Sequence, residues 1–198
     1  MADPSLLVVL AHPALERSRA NRAMAVAAEC TPSARLHDLY EAYPDYLIDV
    51  PAEQARLLAH DTIVLQFPLY WYSSPALLKE WLDLVWLHGF AYGEEGRALS
   101  GKTLACACST GGSDAAYGPF GHNRFSIEEF LRPFEATANL CGMTWAEPFV
   151  MHGAALLEEA DLKRAGKDYY AWLRRLSGET ALPDAETEAR IRSAVEAA

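Results

Sequence analysis

Short apolar runs alternate with amphipathic stretches along most of the chain. The run Leu6–Leu10 predicts a first strand, and the stretch from Ser18 to about Cys30 predicts a helix. Its small or apolar residues recur at helical spacing on one face, namely Ala20, Ala23, Met24 and Ala27. Small side chains on that face let the helix pack close to a sheet.

The alternation continues to the polar end of the chain. Further strands are predicted near Ala34 to Leu39, at "DTIVLQF", at "KTLACACS" and around Thr144 to Val150. Further helices are predicted after Pro51, from a Ser74 cap with Pro75 at its first position to about Leu87, across Ile127 to Leu140, and from Leu156 to Leu176. The last helix has Glu158 and Glu159 in its first turn and Arg174 and Arg175 in its last, as the helix dipole favours.

Five strands that alternate with helices predict an α/β fold with a parallel, doubly wound sheet. We expect one domain over residues 1–178, followed by a polar, helical tail at 179–198. Sheets of this kind bind ligands just beyond the carboxyl ends of their strands. The candidate chemistry therefore lies in the loops "AHPALERSRAN", "PLYWYSS" and "STGGSDAAYG", which we expect to meet in one crevice.

Composition and charge argue against several classes of function. No apolar run approaches the roughly 18 to 20 residues of a membrane span, and the N-terminus lacks the positive charge of a signal peptide, so we expect a cytoplasmic protein. The formal net charge of −10, without a basic run, argues against nucleic-acid binding. The four cysteines lack the spacing of zinc ligands, so we predict no metal site and favour buried free thiols.

The loop after the first strand has the features of a phosphate site. Ser18 precedes a helix whose free N–H groups and dipole attract anions, and His12 and Asn21 add side-chain donors. The alternative is that Ser18 only caps the helix and His12 packs against Pro13. Neither a dinucleotide fingerprint nor a P-loop motif is present.

The loop after the third strand is aromatic. Trp71, flanked by Tyr70 and Tyr72, can offer a flat face to an aromatic ligand, or these rings can belong to the core or to a dimer surface. The following helix is apolar over more than one stripe, which favours a homodimer that covers its second side, with Lys79, Glu80 and Asp83 left in water. Three rings in a loop that is normally solvated favour the ligand.

The loop after the fourth strand is rich in glycine. Thr110, Gly111 and Gly112 can bring backbone amides close to a ligand edge, where they stabilise negative charge, or they can form an ordinary turn. Downstream, Tyr117 and His122 can place a phenol and an imidazole over a bound ring, or lie in a surface loop.

These segments together resemble a known family. The stretches "AHPALERSRAN", "LYEAYPDYLIDVPAEQ", "QFPLYWYSSPALLKEWLDLVWLHGFAYG", "STGG" and "CGMTWAEPFVMHGA" are similar to the NAD(P)H:quinone oxidoreductases, which are flavodoxin-like flavoproteins. Within that family they are most similar to the ancillary proteins of glutathione-regulated potassium-efflux systems. The similarity runs from Leu6 to about Gly153, and beyond Ala155 only a helical tail is recognised. It implies a five-stranded parallel sheet of order 2-1-3-4-5 in three layers.

The resemblance also implies which residues meet a bound flavin. The residues at its phosphate are His12, Ser18, Arg19, Ala20 and Asn21. The residues that flank its ring are Leu69, Tyr70, Trp71 and Tyr72, and those at its pyrimidine edge are Ser109, Thr110, Gly111 and Gly112. Tyr117 and His122 are implied to hydrogen-bond the second substrate.

The implied activity is two-electron, ping-pong hydride transfer from NAD(P)H through FMN to a quinone-like acceptor. FMN is favoured over FAD because ancillary-type members resemble FMN proteins. A homodimer is implied, and the alternative function is a regulatory subunit that retains this activity and attaches to a potassium-efflux protein at the inner face of the cell membrane. A one-electron shuttle is a third possibility, against which the aromatic loop argues. The choice between NADH and NADPH stays open, as does the natural acceptor.

Overall fold

A central parallel sheet with helices on both faces makes up the computed structural model, which describes residues 5–196. The strands are β1 (Leu6–Leu10), β2 (Ala34–Asp38), β3 (Thr62–Pro68), β4 (Thr103–Ser109), β5 (Thr144–Trp145) and β6 (Phe149–Met151). The helices are α1 (Arg19–Glu29), α2 (Leu39–Ala42), α3 (Val50–Leu58), α4 (Ala76–Val85), α5 (Ile127–Leu140), α6 (Glu159–Leu176) and α7 (Ala185–Glu196). Residues 1–4 and 197–198 of the predicted domain and tail lie outside the described range.

The strand order β2-β1-β3-β4-β5 confirms the predicted 2-1-3-4-5 order, and every neighbouring pair is parallel. Because the chain winds outward from β1 to β2 and then returns to β3, the sheet reverses its winding direction between β1 and β3. Every residue of β1 and β3 is buried, as expected for strands covered on both faces. The loops that follow these strands therefore leave the sheet at a topological switch point.

The fifth strand position differs from the prediction. Instead of one strand around Thr144 to Val150, β5 and β6 form two short pieces that both pair with β4. Pro148 lies between the pieces and has no N–H to donate to a ladder, which gives a physical reason for the interruption. The second piece pairs with the end of β4 at Ser109, so the residues after Met151 reach the same edge of the sheet as the glycine loop.

Two helix starts also differ from the prediction by a short distance. Pro75, not Ser74, is the N-cap of α4, without a side-chain capping bond, and the helix ends at Val85. Glu158 is the N-cap of α6, so it precedes the first turn in which it was predicted to lie. The predicted basic pair at the end of α6 is confirmed, and Ser18 caps α1 as predicted by accepting the N–H of Asn21.

Each face of the sheet has its own apolar core. The face covered by α3, α4 and α5 buries large side chains such as Trp81 and Phe67. The other face is covered by α1, α6 and α7, which pack closely because Gly166 has no side chain: a Cβ there would lie 2.7 Å from Ile191 Cγ2 and 3.6 Å from Ala23 Cβ. Among residues 5–196, no helix is both long and apolar enough to cross a membrane.

The wide apolar surface of α4 is mostly covered by this chain itself. Leu77, Leu78, Trp81 and Val85 are all buried in the core, which explains most of the pattern that was read as a dimer face. The apolar residues that stay exposed at this end are Leu84 and Leu87, at 38% and 45% of their surface. The predicted wet residues Lys79, Glu80 and Asp83 are exposed.

A buried carboxylate on α3 contacts side chains from β2, from α4 and from the C-cap of α2. Glu53 is fully buried, and its Oε1 accepts a 2.8 Å hydrogen bond from the Tyr43 hydroxyl while its Oε2 accepts one from Trp81 Nε1 at 2.8 Å. His37 Nε2 lies 2.9 Å from Oε1, at an angle outside hydrogen-bond geometry. Burial raises the pKa of Glu53, but the contacts with His37, Tyr43 and Trp81 outweigh it and lower the pKa to about 2.

Replacing this carboxylate, as Glu53→Gln, should lower stability and flatten its dependence on pH. Because the folded pKa of about 2 lies below the ordinary 4.5, the carboxylate contributes stability above pH 4.5 that is lost as the pH falls toward 2. The contribution is on the order of 3 kcal/mol. Urea unfolding across this range measures it, with Glu135→Gln as a control at a less buried ion pair. Parallel pH profiles for wild type and Glu53→Gln would contradict the assignment.

Candidate functional site

The loops after β1, β3, β4 and β6 surround one cavity at the carboxyl edge of the sheet. Its volume is about 680 Å³. The lining residues are His12, Ala14, Arg17, Ser18, Arg19, Ala20, Asn21, Pro68, Leu69, Tyr70, Ser109, Thr110, Gly111, Ala154 and Ala155. The crevice that the switch-point rule placed among these loops is therefore present.

The lining contains most, but not all, of the residues proposed from the sequence. The proposed residues outside it are Trp71, Tyr72, Gly112, Tyr117 and His122. The lining residues that were missed are Ala14, Arg17, Pro68, Ala154 and Ala155. Ala154 and Ala155 follow β6, so applying the same rule to the loop after the last strand would have found them.

The start of α1 presents hydrogen-bond donors to the cavity. Ser18 Oγ accepts the N–H and the Nδ2 of Asn21, both at 3.2 Å. A hydroxyl oxygen has two lone pairs, so the hydrogen of Ser18 remains free to donate elsewhere. The N–H groups of Arg19 and Ala20 lie in the first helical turn, which has no preceding carbonyls to bind them. Together with the helix dipole, these donors favour an anion.

Asn21 connects this helix start to the end of β4. Its Nδ2 also donates to Ser109 Oγ at 2.9 Å, so one side-chain amide contacts two serines that line the cavity. The side chain is almost completely buried, at 1% exposure, yet its Oδ1 has no hydrogen-bond partner. A buried acceptor without a partner is costly, which suits a site that a ligand or water completes.

His12 is a neutral donor at the wall of the cavity. Its Nδ1 accepts the N–H of Ala14 at 3.1 Å, so the hydrogen of the neutral ring lies on Nε2, which is 3.5 Å from the Tyr70 hydroxyl. Burial lowers the pKa of His12, against the opposing effect of Glu16. The ring therefore offers a hydrogen-bond donor without a positive charge at neutral pH.

The aromatic loop is a tight turn with a strained backbone. Tyr70 and Ser73 exchange two backbone hydrogen bonds, at 2.9 and 3.0 Å, and the residues between them, Trp71 and Tyr72, have φ values of 47° and 65°. Positive φ is uncommon outside glycine and costs free energy, so bulky residues there indicate a functional constraint. Tyr72 stacks on Phe130 at 4.9 Å, whereas Trp71 is 93% exposed.

The two glycines of the third loop have different surroundings. A Cβ on Gly111 would meet nothing within 4 Å, so this residue leaves open space at the cavity. A Cβ on Gly112 would lie 3.3 Å from Cε2 of Tyr117, so Gly112 makes room for that ring rather than for a ligand. The Gly112 carbonyl accepts the Thr110 hydroxyl and the N–H of Gly153, both at 2.8 Å, which fixes the loop.

Tyr117 lies beside a histidine that the sequence analysis did not single out. Its ring is 5.6 Å from that of His152, whose Nδ1 is 3.3 Å from Thr110 Oγ1 and whose Nε2 is 3.3 Å from Asp114 Oδ1. Burial lowers the pKa of His152, against the effects of Asp114 and Glu128. His122 is exposed. The position of His152 directly after β6 was the available signal.

Among residues 5–196, no group of three or more His, Cys, Asp or Glu side chains is placed so that it could hold a metal ion. The cysteines in this range are free thiols, and Cys106, Cys108 and Cys141 are buried. Burial raises the pKa values of all three, which keeps them protonated and unreactive.

Comparisons with known proteins agree with this architecture. A family model described as the flavodoxin-like fold matches residues 4–173. The glutathione-regulated potassium-efflux system ancillary protein KefG of Cronobacter sakazakii is 46% identical over 168 residues, which are 85% of this chain and 91% of that protein.

Solved structures are also similar to this chain in sequence and fold. The structure of general stress protein 14 from Treponema denticola in complex with FMN is 41% identical with a TM-score of 0.83, over 87% of this chain and 99% of that one. The structure of an NADPH-quinone reductase from P. pentosaceus is 37% identical with a TM-score of 0.77, over 85% and 96% of the two chains. With its strand order and cavity, the chain therefore belongs to the NAD(P)H:quinone oxidoreductase family of flavodoxin-like proteins.

Proposed function

We propose that this protein is an FMN-dependent NAD(P)H:quinone oxidoreductase. The observation that carries the proposal is the cavity at the sheet's carboxyl edge, where an anion-binding helix start and a glycine loop face each other. Similar proteins include one solved with FMN and one named as an NADPH-quinone reductase. Their names support the cofactor and the reaction class, and the site chemistry supports the same choice.

The residues at the cavity fit the chemical groups of FMN. The Ser18 hydroxyl, the first-turn N–H groups of α1 and the Arg19 side chain suit a phosphate. A cavity of 680 Å³ also falls within the range of about 300 to 1,000 Å³ typical of small-molecule sites.

Bound FMN would supply the hydride chemistry, accepting a hydride from NAD(P)H and passing two electrons to a quinone-like acceptor. The protein's part is to bind and orient. Ser18 and Arg19 hold the phosphate end, where Asn21 orients the Ser18 hydroxyl. Leu69 and Tyr70 flank the ring with the neighbouring Trp71 and Tyr72, and the backbone at Thr110 and Gly111 stabilises negative charge at the opposite end. His12 contributes a neutral donor at the phosphate end.

NAD(P)H and the quinone-like acceptor are proposed to enter the same cavity one after the other, which predicts ping-pong kinetics. Tyr117 and His122 are the residues proposed to contact the second substrate. Tyr117 is half-buried against Gly112, so it needs only a local movement to reach a ligand at that edge. His122 is exposed, whereas His152 lies beside Tyr117.

An absorbance spectrum of the purified protein tests the proposal directly. We expect a bound yellow chromophore that is released as FMN, bleaches under anaerobic NADPH or NADH, and regains its colour when a quinone is added. The ratio of bleaching rates for the two nucleotides also shows which is preferred. A protein that stays colourless after incubation with FMN would overturn the proposal, and bleaching without recovery would overturn the quinone half of it.

The same experiment on variants separates the two half-reactions. Tyr117→Phe should slow the recovery with quinone by about tenfold, the order of one lost hydrogen bond, with unchanged FMN content and bleaching rate. His122→Gln tests the second proposed contact in the same way, and Tyr46→Phe is the matched control at an exposed tyrosine of another loop. Equal recovery rates in Tyr117→Phe and wild type would remove Tyr117 from the acceptor site.

Ser18→Ala should lower FMN affinity much more than stability. The variant loses the capping bond and the free hydroxyl donor, so we expect at least a tenfold rise in the Kd for FMN and a stability loss of about 1 kcal/mol. Ser126→Ala is a matched control, because Ser126 caps α5 in the same manner but does not line the cavity. Equal FMN affinity in both variants would show that Ser18 is only a cap.

A second candidate function is that of an ancillary subunit of a potassium-efflux protein, which the 46% identity to KefG favours. We propose that the protein forms a homodimer in either case, with the exposed Trp71 near the subunit interface. A ring that is 93% exposed on a strained turn is costly unless another surface covers it.

Sedimentation equilibrium tests the dimer. We expect twice the monomer mass for wild type and a weakened association for Trp71→Ala, because removal of a central aromatic contact typically costs about 2 kcal/mol or more. Leu182→Ala is the control at another exposed apolar residue, in the segment between α6 and α7. A monomeric wild type would overturn the homodimer, and binding of that monomer to vesicles that contain an efflux protein would favour the ancillary function alone.

A further inference from the structure

A chain of hydrogen bonds runs from helix α6, by way of Gln66 on β3, to the cavity. The Tyr169 hydroxyl donates to Gln66 Oε1 at 3.0 Å, and Gln66 Nε2 donates to the main-chain oxygen of Asn21 at 3.2 Å. Asn21 Nδ2 then donates to Ser109 Oγ at 2.9 Å and to Ser18 Oγ at 3.2 Å. Tyr169 and Gln66 do not line the cavity, but the two serines do.

The direction of each bond in this chain is fixed by burial. Tyr169 and Gln66 have no exposed surface, so an unpaired polar atom on either would be costly. The Asn21 carbonyl can only accept, so the amide nitrogen of Gln66 must face it. The amide oxygen then faces Tyr169, which must donate. Burial raises the pKa of Tyr169 well above its ordinary value, so the phenol keeps its proton.

The position of the Tyr169 hydroxyl is set by packing away from the cavity. Its ring stacks on Trp172 with centroids 5.6 Å apart and contacts Phe149 at 5.0 Å. Gly166, one turn earlier on α6, lets this helix approach α1 at Ala23. The chain of bonds therefore begins at a rigid point and ends at the first turn of α1.

The end of this hydrogen-bond chain at Asn21 determines which groups face a ligand. Since Ser18 Oγ already accepts two hydrogen bonds from Asn21, its hydroxyl can only donate to a third partner. Ser109 accepts one bond from the same amide, which leaves its hydrogen to donate. The Asn21 amide thus restricts the Ser18 hydroxyl to donating, and it leaves the hydrogen of Ser109 free to donate at the cavity.

We propose that Tyr169 and Gln66 are positioning residues for the anion site at the start of α1. They hold the first turn of α1 against β3, so that Asn21 keeps the Ser18 hydroxyl as a donor toward a phosphate. Helix α6, which packs beside α1 on the same face of the sheet, thereby takes part in ligand selection without contacting the ligand. The identity of the ligand as a flavin phosphate rests on the proposed function.

The test compares Tyr169→Phe with Tyr170→Phe, two adjacent buried tyrosines of which only Tyr169 belongs to this chain of bonds. The Kd values for FMN and for riboflavin, which lacks the phosphate, are measured by flavin fluorescence below the unfolding midpoints. Tyr169→Phe should weaken FMN binding about tenfold and leave riboflavin binding unchanged. Tyr170→Phe should keep the wild-type preference for FMN.

Gln66→Met gives a second measurement, because it removes both amide bonds at nearly constant volume. It should lower the preference for FMN over riboflavin in the same direction as Tyr169→Phe. A preference equal to that of wild type in both variants would overturn the positioning role, and so would an equal loss of both ligands, which indicates general destabilisation. A wild-type protein that binds neither flavin would overturn the proposed function and this inference together.

Discussion

The pairing of buried polar groups is the constraint on which this structure depends. The central strands are covered on both faces, so each polar side chain that enters the sheet layer must have a partner. Gln66 on a strand, and Glu53 and Asn21 on helices packed against the sheet, are buried polar side chains, and each makes at least one hydrogen bond to a residue 28 or more positions away in the chain. These bonds fix the positions of the helices relative to the strands. Asn21 Oδ1, which stays unpaired, lies on a residue that lines the cavity.

The two faces of the sheet use this constraint differently. On one face, Glu53 accepts hydrogen bonds from Tyr43 and Trp81 and thereby joins α3 to α4. None of these three residues lines the cavity. On the other face, Gln66 passes a hydrogen bond from Tyr169 to the first turn of α1. The first cluster contributes stability, whereas the second connects the packing of α6 to the ligand site. A carboxylate would not serve in place of Gln66, because it has no hydrogen to donate to the Asn21 carbonyl.

Local patterns made most of the fold predictable from the sequence. Strand β1 and helix α5 have the predicted bounds because their apolar runs and caps are unambiguous, and the strand order followed from the family resemblance. The division of the last strand at Pro148 was missed because it depends on which N–H groups the ladder needs. Gln66 and Glu53 were missed for a related reason. A polar residue inside an apolar strand, or on the buried side of a helix, shows in sequence, but its partners lie up to 103 residues away.

The net charge of −10 raises the question of how such a protein attracts a phosphate at all. Charges on an exposed surface are screened within about 8 to 10 Å at physiological salt, so the distant acids contribute little at the cavity. In the proposed phosphate site the nearby groups are instead the N–H groups of α1, the Ser18 hydroxyl oriented by Asn21, and Arg17 and Arg19 at the lining. Because hydrogen-bond donors in a fixed geometry need no reorganisation, they select an anion by shape as well as charge. The overall charge thus acts on solubility and on the approach of partners, whereas the proposed site relies on its local donors to select the ligand.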